Sequence, residues 1–225
     1  QVFLEEGAKI NCAIVNALTG PIYLATGAEI QEGAMIRGGL YLGPESTVKM
    51  GAKLYGTTSV GKACKIGGEI TNSIFHDYSN KGHEGYIGNS VIGSWCNFGA
   101  DTNSSNLKNT YDTINCYDYR SGKMINSGQQ FLGLLMGDHS KTGINTMLNT
   151  GTVIGVNCNI FGSGFPPNYI SSFSWGGTDE LQTYRLEKAI ETAYKVMARR
   201  DVLMTKNDRL VFQYLFENRH TPIID

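Results

Sequence analysis

An aliphatic residue stands at every sixth position from Leu24 to Ile66: Leu24, Ile30, Ile36, Leu42, Val48, Leu54, Val60 and Ile66. Two residues before most of them sits a small side chain: Ala28, Ala34, Ser46, Ala52, Thr58 and Cys64. A strand repeats every two residues and a helix every 3.6, so neither generates this ladder. A period of six predicts short strands wound into stacked coils, a β-helix. Each aliphatic then points into a narrow prism and stacks on its counterpart one coil below, about 4.8 Å away. The small residues fit where the coil turns a corner.

Composition supports a winding chain. Twenty-eight glycines in 225 residues suit a backbone that turns every few positions. The length fits one elongated domain or one domain with an appendage. A formal net charge of −1 gives no basic excess for nucleic acid, and no polybasic tract marks a membrane surface. No apolar run approaches the roughly eighteen residues that span a bilayer. The five cysteines, Cys12, Cys64, Cys96, Cys116 and Cys158, show neither CxxC nor CxxH spacing. Cys64, Cys96 and Cys158 fall on small corner positions and read as buried thiols, which suits a reducing cytoplasm. The chain opens on Gln1, already inside coil-like sequence, which reads as a fragment or trimmed product with an upstream part.

Residues 1–23 carry an imperfect first coil, as terminal repeats tend to be. The ladder breaks after Ile66, where the next position in register is Asn72, and it resumes at Ile92 and Phe98. Between lies a glycine-rich, charged segment, Lys81-Gly82-His83-Glu84-Gly85-Tyr86-Ile87-Gly88. A slip at a polar segment is where function is expected. Residues 101–133 lack the rhythm and form a long inserted loop, with a two-stranded hairpin read from Thr113 to Asn126 around Ser121-Gly122. The rhythm returns at Met136, Thr142, Leu148, Ile154 and Ile160, and Phe165-Pro-Pro-Asn ends it. The coil domain is therefore assigned to 1–176 and a C-terminal helical segment to 177–225. There, Leu186, Ile190, Ala193 and Met197 form an apolar helical stripe, with Thr178 as its cap. A second helix follows from Thr205, with Leu210, Val211, Tyr214 and Leu215 along one face. The two helices are expected to cover the open end of the coil or pack on a neighbouring subunit, and their Arg and Lys residues read as solvated.

Chemistry is sought around Gly82–Gly88 and Cys96-Asn97-Phe98-Gly99-Ala100. An imidazole titrates near neutrality, so His83 can take a proton from an attacking amine or hydroxyl. Glu69, one coil earlier, is the candidate carboxylate to fix its tautomer. Backbone N–H groups in the Gly99-Ala100 turn can hold an oxyanion. Asp138-His139-Ser140 resembles a triad on paper, but adjacent strand residues point to opposite faces and cannot form one. His139 is read as lining a groove or as a solvated coil edge; His76 and His220 read as structural or surface residues. No His/Cys/Asp spacing argues for a structural metal.

Three motifs, GHEGYIGNSVIG, NFGADTNSSNLKN and GDHSKTGIN, give residues 24–165 a family resemblance. The chain resembles the hexapeptide-repeat, left-handed β-helix domain of the bifunctional N-acetylglucosamine-1-phosphate uridylyltransferase/glucosamine-1-phosphate acetyltransferase family, closest to a branch of Bacteroidetes type. The resemblance implies an all-β, left-handed parallel β-helix with a C-terminal helical appendage. It implies acetyl-CoA as co-substrate, a sugar phosphate as acceptor and a homotrimer of parallel prisms with sites between subunits. On this resemblance His83 is the general base, Glu69 orients it, and Asn106 stands near the reacting amine. Lys53, Tyr86 and Asn97 fall on amino-sugar phosphate contacts. Ala100 falls on a backbone contact to the acetyl group, while Ile144 and Gly162 lie along the coenzyme A groove. The 101–133 loop becomes an arm reaching a neighbouring subunit.

Departures from the pattern are equally specific. The family's phosphate-binding lysine falls on Thr71, and its arginine falls near Lys53, which keeps the charge but loses the bidentate fork. A tyrosine is replaced by Leu107, and the family's basic tail by helices. Two functions follow from this reading. One is acetyl-CoA-dependent N-acetylation of an amino-sugar phosphate with His83 as base. The other is a non-catalytic, trimerising or regulatory β-helix of a sugar-1-phosphate nucleotidyltransferase whose catalytic part would lie upstream of Gln1.

Overall fold

The computed structural model describes residues 1–220; the rest of the segment assigned to 177–225 lies outside the described residues. The chain is an all-β, left-handed parallel β-helix with two α-helices after it. One face is a nine-stranded sheet running from Val2–Leu4 to Tyr169–Ile170, and the second runs alongside it from Lys9–Ile10 to Ser174–Gly176. The third face holds five paired strands, from Ile14–Asn16 to Tyr86–Gly88, and then the pair Asn103–Ser104 with Met147–Leu148. Consecutive coils pair in parallel and in register: Leu24 lies on Leu42, and Leu42 on Val60. The interior is the predicted ladder, with Leu24, Ile30, Leu42, Val48, Val60 and Ile66 all fully buried. Each contributes about 1.5–3 kcal/mol by leaving water.

Small corner residues do more than fit. Ser46 Oγ donates to the Gly61 carbonyl (2.6 Å) and accepts the Cys64 N–H (2.8 Å), tying one coil to the next. Ser79 repeats the device with Gly93 and Cys96, and Ser140 with Gly155 and Cys158. Corners would otherwise leave buried backbone groups unpaired, at about 1–3 kcal/mol each. Cys64, Cys96 and Cys158 are buried free thiols, and burial pushes the Cys64 thiol up to about 11.

The slip after Ile66 is a shortened coil rather than an interruption. The interior position passes to Ile70, which pairs with Leu54 on one side and Ile87 on the other. Gly67-Gly68 makes the tight corner: Gly68 has φ +70°, and a Cβ there would meet the Gly85 carbonyl oxygen at 2.6 Å. From Phe75 the six-residue step resumes as Phe75, Lys81 and Ile87, all three buried. A lysine therefore occupies an interior site, stacked on Ile66.

The inserted loop departs after Ser104 and rejoins at Leu134. Its strands Asn115–Asp118 and Lys123–Asn126 form the antiparallel hairpin. The loop packs on its own coil: Ile114 is fully buried, and the Tyr117 ring stacks on Tyr169 with centroids 3.4 Å apart.

The appendage differs in three ways from expectation. Residues Leu181–Thr183 pair antiparallel with Ser174–Gly176, covering the last sheet edge, so helix α1 spans Leu186–Ala198 and Thr178 does not cap it. Helix α2 spans Lys206–Glu217 from Thr205, whose hydroxyl and Asp208 form a reciprocal capping box. Its buried face carries Phe212 with Leu215 and Phe216, whereas Leu210, Val211 and Tyr214 are exposed. Those buried positions recur at three and four residues, and the coil they meet decides which of two apolar stripes turns inward.

The helices also lie along one edge of the coil instead of over its end. That edge is a spine of residues with positive φ: Tyr78, Trp95, His139, Asn157 and Phe173 in successive coils. Tyr78 stacks on Trp95 (4.0 Å, 2°), Trp95 on His139 (5.9 Å), and Phe212 and Phe216 of α2 meet His139 and Phe173 edge-on. Bulky residues rarely adopt this backbone conformation, and packing against their neighbours and α2 holds them there. His139 is thus neither in a groove nor solvated. Burial depresses its titration to about 3, so it is a neutral aromatic plate.

Candidate active site

The shortened coil places the motif residues. Strand Asn80–Lys81 ends at the corner Gly82-His83-Glu84-Gly85, and strand Tyr86–Gly88 begins the third face. Lys81 is fully buried, and its ammonium donates to the His83 and Glu84 carbonyls, the latter at 2.7 Å. These bonds fix the backbone of the turn that carries His83. Burial lowers the Lys81 ammonium to about 8.

His83 itself is exposed on a hollow of about 740 Å³ between the second face of the coil and the end of α1. Four of the predicted site residues, His83, Asn97, Ala100 and Ile144, line this one groove. The volume lies in the range of small-ligand sites. Within the Gly99-Ala100 turn, the Gly99 N–H is committed to Thr142 O (3.0 Å), and the Ala100 carbonyl accepts from Asn145 N–H (2.8 Å). Among the described residues the Ala100 N–H has no acceptor, leaving one backbone donor for a ligand oxygen.

The other predicted residues are elsewhere. Glu69 and Lys53 pair across adjacent coils on the third face, beside Tyr86, and line a separate hollow of about 360 Å³. The Glu69 carboxylate accepts the Tyr55 hydroxyl, a bond that with burial raises the phenol to about 12. No hydrogen bond joins Glu69 to the His83 imidazole among the described residues. Asn106 donates to Tyr86 Oη (2.9 Å) and Asn89 Oδ1 (2.7 Å), so those two predicted residues form one polar cluster. Gly162 lies with Trp175 and Thr178 in a third hollow.

Sequence reasoning missed Lys81, and it read the helix cations as solvated. Arg199 and Arg200, at the end of α1, line the groove with Lys49 and Lys65 from the coil. Arg200 donates to Asn80 Oδ1 (3.1 Å), seating the helix on the coil. The step Phe75, Lys81, Ile87 marks the interior lysine in the sequence; nothing in the sequence marks the arginines. Among the described residues, no group of three or more His, Cys, Asp or Glu side chains can hold a metal ion, and no helix is long and apolar enough to cross a membrane.

A coil of stacked hexads with a cationic groove at one corner defines the chain as a hexapeptide-repeat β-helix protein. No family model matches the chain. It is 34% identical over 144 residues to a bifunctional sugar-1-phosphate nucleotidylyltransferase/acetyltransferase of Sulfurisphaera tokodaii, covering 59% of this chain and 34% of that protein. It is 33% identical over 126 residues to the bifunctional protein GlmU of Methanococcus vannielii, covering 52% and 28%. Among solved structures, the polySia-specific acetyltransferase NeuO aligns with a TM-score of 0.45 and 17% identity, over 89% of this chain and 97% of that one. Over the aligned stretches the chain is similar to bifunctional sugar-1-phosphate nucleotidyltransferase/acetyltransferases. It spans about a third of the length of these curated relatives.

Proposed function

We propose that this chain is an acyltransferase that moves an acetyl group from acetyl-CoA to the amine of an amino-sugar phosphate, with His83 as general base. The observation that carries the reading is the convergence of His83, Asn97, Ala100 and Ile144 on one groove. In this scheme the His83 imidazole takes a proton as the sugar amine attacks the thioester carbonyl. The Ala100 N–H, free of an internal acceptor, donates to the oxyanion that forms. Collapse of that intermediate expels the coenzyme A thiolate, which is protonated on release. Lys81 holds the His83 turn. The Tyr86–Asn106 cluster and the Glu69–Lys53 pair lie on the third face, and a homotrimer of parallel prisms would bring a neighbouring coil to them. The buried free thiols suit the reducing cytoplasm, where acetyl-CoA is at hand.

The test is release of coenzyme A thiol from acetyl-CoA with glucosamine-1-phosphate. His83→Ala is expected to lower the rate about 10²–10⁴-fold with the fold retained. Because Glu69 is held by Tyr55, Glu69→Gln is expected to cost far less. An unchanged rate in His83→Ala would remove the histidine from the base role. Absence of both thiol release and coenzyme A binding would favour the assembly module instead.

A further inference from the structure

Four cationic side chains, Lys49, Lys65, Arg199 and Arg200, line the 740 Å³ groove beside the His83 imidazole. Among the described residues no Asp or Glu lines it, although the chain as a whole carries a net charge of −1. Among the described residues no ion pair neutralises these charges. Lys49 donates to the Gln31 amide oxygen (2.8 Å) and Arg200 to the Asn80 amide oxygen, both uncharged acceptors. The ion pairs seen on α1 lie elsewhere, on Lys188, Glu191 and Lys195. Like charges held about one cavity repel one another, and an arrangement of that kind is stabilised when an anion enters.

We propose that this groove binds the phosphate of its ligand through Lys49, Lys65, Arg199 and Arg200, with α1 supplying the two guanidinium groups. A phosphate matches the site better than a carboxylate: it carries up to two charges and several acceptor oxygens, and guanidinium forks grip such a group with paired bonds. The assignment also answers the departures at Thr71 and Lys53. Beyond Lys53 on the third face, further cations stand on the second, partly at the end of a helix that the coil itself does not contain. The helical appendage is thereby part of the ligand site. The Arg200–Asn80 bond sets its position beside the strand that leads into His83.

The inference deepens the proposed function and rests on the groove being the ligand site, so its test is binding rather than turnover. Titration calorimetry on the whole chain uses coenzyme A, dephospho-coenzyme A, glucosamine-1-phosphate and glucosamine. Arg199→Ala and Lys65→Ala are each expected to weaken binding of the phosphorylated ligand about tenfold or more. Lys195→Ala, which removes an α1 cation outside the groove, is expected to leave it unchanged. Arg200→Lys, which keeps the charge, should retain more affinity than Arg200→Ala, and far-UV circular dichroism checks that each variant folds. Preference for glucosamine-1-phosphate over glucosamine assigns the phosphate to the sugar; preference for coenzyme A over its dephospho form assigns it to the nucleotide. Equal affinity of wild type and Arg199→Ala for both phosphorylated ligands, or no binding of either by wild type, would overturn the proposal. Binding without thiol release would leave it standing and defeat acetyl transfer; thiol release unaffected by Arg199→Ala and Lys65→Ala would do the reverse.

Discussion

Replacing Lys81 with methionine tests whether an interior ammonium holds the His83 turn. The lysine is fully buried, and burial lowers its titration from 10.5 to about 8. A folded-state value below the unfolded one means that the unfolded chain binds more protons between pH 8 and 10.5. Wild-type stability therefore gains from this group as pH rises through that window. The full gain is about 3 kcal/mol, of which about 2 kcal/mol is reached by pH 9.5. Methionine has similar reach and no charge, but it leaves the His83 and Glu84 carbonyls without their donor, at a combined cost of about 2–4 kcal/mol. Near pH 7 the relieved desolvation offsets that loss, so the two proteins should melt at similar temperatures. At pH 9.5 the neutral amine still donates to both carbonyls, and wild type should be the more stable. For a chain of this size, about 2 kcal/mol corresponds to about 4–8 °C in Tm. Melting curves of the two proteins at pH 7 and pH 9.5 make the comparison. Thiols such as Cys64, common to both, cancel in the difference. A Tm difference that does not change with pH would refute the argument.

Other perturbations follow from the same geometry. His139 titrates near 3 when folded and near 6.5 when free, so it contributes stability above pH 6.5 that is lost as pH falls. The groups in play beside it are Lys141, which lowers its titration, and Asp208, which raises it. Between pH 6.5 and 5 the loss should be about 2 kcal/mol, and His139→Phe should flatten that part of the stability–pH curve. Ser140→Ala should cost about 1–3 kcal/mol in denaturant unfolding, because the Gly155 carbonyl and Cys158 N–H lose their shared partner. Gly85 has φ +114°, and a Cβ there would stand 2.2 Å from the Thr102 carbonyl oxygen. Gly85→Ala should therefore lower Tm and, by displacing the turn, also reduce thiol release.

The hexad ladder by itself determined the coil, because a period of six leaves the chain only one way to bury its aliphatics together. It also placed Cys64, Cys96 and Cys158 at buried corners and located the slip that carries His83. The exact path through that slip was harder to read. Phe75, Lys81 and Ile87 keep the six-residue step, but a lysine in the middle hides it, since a charge inside a coil is stable only where carbonyls converge on it. Helix α2 shows a second limit: its sequence offers two apolar stripes, and only the aromatic spine of Tyr78, Trp95, His139 and Phe173 selects the one bearing Phe212 and Phe216. The groove is the clearest case. His83, Asn97, Ala100 and Ile144 come from neighbouring coils and share a motif signal, whereas Arg199 and Arg200 are more than a hundred residues away from His83 in sequence. Charge acts through space, so their meeting with Lys49 and Lys65 was decided by where α1 docks, which no local pattern encodes.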